Sequence, residues 1–193
     1  MIKKHIFSLI AILLAGIGCN GESINTSDLT EMKRADYYAD QATNVFIKKI
    51  QKEYGLLAVG TGGGGSPEDG LNHLSVSFEC YEKMDVPHAR KLLIECTNEF
   101  LEAINKNKDL AKHLTNSPFT NKNIKIDIMF IRPQIRGFIP PPSLAIAGID
   151  RGEISYDIFE NKLLKTVKTE TYEDAVNNTT AHEQEGSRHE VQP

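Results

Sequence analysis

Ile124-Lys-Ile-Asp-Ile-Met-Phe-Ile131 puts Ile124, Ile126, Ile128 and Phe130 on one side of an extended chain, with Lys125, Asp127 and Met129 on the other. Successive side chains of a strand point to opposite faces, so this period-two pattern predicts a half-buried β-strand, ended by Pro133. Leu74, Val76, Phe78 and Cys80 alternate in the same way with Ser75, Ser77, Glu79 and Tyr81 and predict a second such strand.

The stretch between these strands changes period. Asp85 is a cap-type residue and Pro87 suits a first helical turn. Ala89, Leu92, Leu93, Cys96, Phe100, Ala103 and Ile104 then recur at spacings of three and four, one face of an amphipathic helix. An earlier helix is predicted to start near Thr26-Ser27-Asp28, with Glu31 three residues after Asp28. Its apolar face is Met32, Ala35, Ala39, Ala42, Phe46 and Ile50. Its cations are interrupted by Asp36 and Asp40, which favours packing on a sheet over lying on a membrane surface.

Tyr54–Gly60 reads as a short strand. Gly62-Gly-Gly-Gly65 then reads as a flexible loop, since no GKS or GKT follows to hold a phosphate and Glu68 and Asp69 would repel one. Leu144–Ile149 and Ile154–Phe159 flank Asp150-Arg-Gly-Glu153, a hairpin pattern. The expected fold is therefore α+β, with order α-β-β-α-β-β-β. An antiparallel sheet of about five strands is covered on one face by two amphipathic helices. From Lys168 onward the chain is polar, with Lys168 and Arg188 against six carboxylates, and reads as a disordered acidic tail over 168–193.

The chain has 193 residues, 22 basic against 26 acidic, for a net charge of −4. That balance argues against a nucleic-acid partner, whose binding depends on neutralised phosphates. The N-terminus is more specific. Met1-Ile-Lys-Lys-His5 is a short positive segment, followed by the apolar run Ile6–Gly18 and then Cys19. Thirteen residues are too few for a membrane span, which needs about 20, and suit a secretory signal.

This leader resembles the signal peptide of bacterial lipoproteins, a resemblance confined to residues 1–20. It implies that 1–18 is removed, that Cys19 becomes the lipidated first residue, and that 19–26 tethers a single domain over 27–167. Membrane lipid is then one partner, and anchoring by several acyl chains is effectively permanent. Asn20 stands where many inner-membrane lipoproteins of enteric bacteria carry aspartate, which points toward the outer membrane. Gly16 and Gly18 also suit the common signal peptidase, which would leave a soluble secreted chain.

With Cys19 lipidated, Cys80 and Cys96 remain as an even pair on apolar faces, open between a disulfide and two buried thiols. No residue is assigned to catalysis, and none to a metal or cofactor. His73 and Glu79 lie six residues apart on one strand, too far for a shared site. His88 and His113 have no metal-ligand spacing, Asp127 and Asp157 read as outward-facing on neighbouring strands, and His182 and His189 fall in the tail. The expectation is an envelope protein that is structural or binds another envelope protein. The alternatives are a small hydrolase whose site forms only in three dimensions and a secreted effector.

Overall fold

A computed structural model describes residues 30–189, with side chains as far as 180. The expected signal peptide, Cys19 and the expected tether to residue 26 lie outside the described residues. The elements are α1 (Glu31–Tyr54), β1 (Leu57–Ser66), β2 (Gly70–Cys80), α2 (Val86–Lys106), β3 (Ile124–Arg132) and β4 (Gly137–Phe138). They continue with β5 (Ile146–Asp150), β6 (Glu153–Glu160), β7 (Leu163–Thr171) and α3 (Tyr172–His189). The class is α+β, as the residue patterns predict.

The sheet has seven strands, not about five. Its order is β1-β2-β3-β5-β6-β7, with β4 alongside β3. It is also mixed, because β2 and β3 run parallel from Leu74↔Ile124 to Cys80↔Phe130. The reason is α2, which carries the chain back to the starting end of β2 before β3 begins, as any parallel pair requires of its crossover. All other pairings are antiparallel.

Ile124, Ile126, Ile128 and Phe130 are fully buried at the centre of this sheet. Phe46 of α1 stacks on Phe100 of α2 at 4.6 Å and meets Phe78 of β2 edge-on at 5.7 Å, so one aromatic cluster joins both helices to the sheet. Ala35, Ala39 and Ala42 are buried, which lets α1 approach closely.

Three local expectations are overturned. Tyr54 ends α1 instead of opening a strand, because Gly55 takes φ +67° and its N–H caps the helix on the Gln51 carbonyl. The glycine run is no loop. Gly60–Gly64 pair in regular register with His73–Ser77, because backbone hydrogen bonds to β2 do not need side chains. The hairpin turn falls later, where Ser66 Oγ accepts from the Asp69 N–H and donates to its carboxylate.

The supposed tail is also structured. Asn161 and Lys162 both take positive φ and turn β6 into β7, just as Arg151 and Gly152 turn β5 into β6. Lys168–Thr171 completes β7, and α3 follows directly. Thr171 Oγ1 receives the Asp174 N–H, Ala175 is fully buried, and the Tyr172 hydroxyl donates to Asn98 of α2 at 2.8 Å. The Tyr172–Asn98 bond spans 74 residues, so the polar composition carried no sign of it.

Candidate functional site

A groove of about 770 Å³ opens at the end of the molecule where α1 stops. Tyr54 and Leu56 from the exit of α1, Met84 from the β2–α2 connection, and Leu92 of α2 supply its apolar walls, with Thr179 of α3 also lining it. Gly55 sets the first wall, since its left-handed turn sends Leu56 into the core. Asp85 sets the second. Its carboxylate accepts the His88 N–H at 3.0 Å and contacts His88 Nδ1 at 2.6 Å, which fixes where α2 begins. Those two hydrogen bonds, backbone first, hold the Asp85 carboxyl below its ordinary range.

Glu53, Glu82 and Glu95 also line the groove. Burial, reinforced by the charges of Glu95 and Glu53, pushes the Tyr54 hydroxyl up to about 12. With Lys91 also on the rim, the carboxylates outnumber the outward cation, so the balance is negative beside an apolar floor.

Arg90 lines the groove as well, but its charge is spent inward. Its guanidinium donates twice to Glu170 of β7, at 2.7 and 3.2 Å, with side-chain exposures of 6% and 5%. The Tyr156 hydroxyl donates to the same carboxylate at 2.7 Å, Asn178 of α3 at 3.1 Å, and the Lys168 ammonium stands at 3.0 Å. Burial alone would raise the Glu170 pKa, yet the hydrogen bonds from Arg90, Tyr156 and Lys168 hold it at about 2. Burial and the Glu170 contact push the Tyr156 hydroxyl far above its usual range. The network joins α2, β6, β7 and α3 behind the groove, so the wall is built from four elements.

Compared with protein-family models, curated proteins and solved structures, the chain finds no significant match. Its function is therefore argued from its own residues.

The candidates named from sequence do not converge. His73 and Glu79 sit apart on β2, and Glu79 accepts from the Tyr81 hydroxyl at 3.0 Å. His88 is 77% exposed against Asp85. His113 lies at the opposite end of α1, 3.1 Å from Glu31 and stacked on Tyr38. Asp127 and Asp157 are not on neighbouring strands, since β5 runs between β3 and β6. Burial raises the Asp127 pKa against the pull of Lys125, while Asp157 accepts from the Thr166 hydroxyl at 2.6 Å. No side chain is described for His182 or His189. Among the described residues no three His, Cys, Asp or Glu side chains are placed to share a metal ion.

Cys80 and Cys96 are free and buried in the structure. Burial raises both thiol pKa values, which leaves them poor nucleophiles. Sequence reading missed Arg90 and Glu170. The available signal was Arg90 directly after Ala89, beside an apolar helix face where a charge needs a partner.

Proposed function

We propose that the protein is a lipid-anchored module of the bacterial cell envelope that binds another envelope protein through the groove at the far end of α1. The observation that carries this is the placement of the groove relative to the N-terminus. α1 is 24 residues long, about 36 Å at 1.5 Å per residue, with the leader and Cys19 preceding its first turn and the groove at its last. In a chain anchored at Cys19 the lipid precedes the first turn of α1, and the groove lies at its last. Among the described residues no helix is long and apolar enough to cross a membrane. In this reading attachment rests on acyl chains at Cys19.

The groove suits a contact with an apolar body and a positive charge, given Leu56, Met84 and Leu92 below and Glu53, Glu82 and Glu95 around them. The protein acts by holding its partner, with His73, His88 and His113 spread over separate surfaces.

Two measurements test the reading separately. Labelled palmitate is incorporated in cells, and Cys19→Ser abolishes both label and membrane retention. A photo-cross-linking residue at Pro87 yields one discrete adduct in cells, lost on Glu53→Lys with Glu95→Lys, while the same residue at Lys33 yields none. Palmitate label without a groove-dependent adduct would remove the binding half of the proposal and leave the anchor.

A further inference from the structure

The two edges of the sheet are built differently. β7 carries Lys165 and Lys168, charges of the kind that keep an exposed edge from pairing with other strands. β1, at the other edge, reads Leu57-Ala-Val-Gly-Thr-Gly-Gly-Gly-Gly-Ser66, with neither charge nor proline. Register irregularities lie between Ala58 and Gly60 and between Gly64 and Gly65. The stretch from Gly60 to Gly64 between them pairs evenly with β2. Its outer edge has no strand partner among the described residues.

Close packing explains only some of these glycines. A Cβ at Gly65 would lie 2.2 Å from the Gly70 carbonyl oxygen, and one at Gly63 would press Leu74 and the His73 carbonyl at 3.0 and 3.1 Å. At Gly60 a Cβ would meet nothing within 4 Å, and at Gly64 only Asn72 at an ordinary 3.7 Å. Neither has a positive φ. Glycine in a strand interior weakens it, and one reason to keep it is the close approach of another backbone.

Alongside this edge runs a groove of about 490 Å³ between β1 and α1. Asp36 and Asp40, one helical turn apart, line it, and neither has an ion-pair partner among the described residues. Thr43, 6% exposed, lies on the same wall. Two unpaired carboxylates and an open backbone ladder border one channel.

We infer that the β1 edge from Gly60 to Gly64 accepts an extended segment of a partner protein as an added strand, with basic side chains directed at Asp36 and Asp40. Main-chain hydrogen bonds to β1 would supply affinity. Alternate side chains of the incoming strand would enter the α1 groove and set specificity. This surface is separate from the groove at the far end of α1, and either can fail without the other.

The test uses the purified full-length chain and three acetylated, amidated peptides. One is Thr-Lys-Val-Lys-Val-Lys-Thr, one has glutamate for lysine, and one is the lysine peptide N-methylated at alternate positions. The lysine peptide is expected to bind and to shift and protect the amides of Gly60–Gly64. The glutamate and N-methylated peptides are expected not to bind. Asp36→Asn with Asp40→Asn, both on the helix exterior, is expected to weaken binding about five- to tenfold, the scale of two exposed ion pairs. Equal binding of the N-methylated peptide would overturn the inference, because pairing would then not require a ladder. So would protection of Gly60–Gly64 before any peptide is added, which would mean the edge is already covered by this chain or a second copy.

Discussion

Arg90 on α2 and Glu170 on β7, 80 residues apart in sequence, clasp each other through two hydrogen bonds with both side chains almost wholly out of solvent. Because Tyr156, Asn178 and Lys168 converge on the same carboxylate, this one pair ties the crossover helix to the last strand and the last helix.

Removing Glu170 leaves Arg90 buried without its counterion, and removing Arg90 leaves Glu170 with only the half-exposed Lys168. Arg90→Ala or Glu170→Ala is expected to cost about 3–5 kcal/mol in urea unfolding, and Tyr156→Phe, which removes one hydrogen bond to a charge, about 1.5–3 kcal/mol. Arg90→Met combined with Glu170→Leu is expected to recover most of the loss, since neither charge is then buried. A double variant as unstable as the single ones would mean that the pair's geometry, not its charge balance, sets the stability.

The same pair gives the fold an acid dependence of definite sign. The Glu170 pKa is lowered from 4.5 to about 2 in the folded chain, so its contribution is complete above the unfolded value near pH 4.5 and is lost as pH falls through about 2. Urea midpoints of the wild type should fall across that window more steeply than those of Glu170→Gln, which has no carboxylate to titrate. Parallel curves would show that other carboxylates control acid unfolding.

Cys80 and Cys96 are 5% and 0% exposed and unbonded. A thiol reagent added to the native protein should leave both unlabelled on a timescale of minutes, and label both once urea is added. The mass of the intact chain should be the same with and without reductant. A two-dalton difference assigned to these residues would contradict the two-thiol arrangement.

Ala175 is fully buried under α3, in a region whose composition suggests a tail. Ala175→Glu places a carboxylate where no partner waits and is expected to undock α3. Limited proteolysis should then cut after Thr171 in the variant while the wild type resists. Equal cutting in both would mean that α3 does not dock in solution.

The alternation in Ile124–Ile131, the Asp85–Pro87 helix start and the Asp150–Glu153 hairpin were legible because each is a local pattern with a local cause. Period-two burial needs only one covered face, and a capping aspartate acts within one turn. β7 gave no such signal. Leu163, Leu164 and Val167 are exposed, so that strand is held by its ladder to β6 and not by an apolar face. The glycines of β1 were unreadable for the same reason, since a main-chain ladder leaves no trace in side-chain chemistry. Of the groove residues, Pro87 and Leu92 were named in a helix and Tyr54 in a strand, while Arg90 and Met84 were not named at all.

By itself the sequence determined which segments bury one face and where two helices run, because these depend on spacing along the chain. Only the tertiary structure decided that β2 and β3 run parallel, that the acidic end closes the sheet, and that Arg90 meets Glu170. Each of those depends on groups brought together across dozens of residues. The groove and the open edge belong to the same class: both are spaces between elements, and a space has no residue of its own to read.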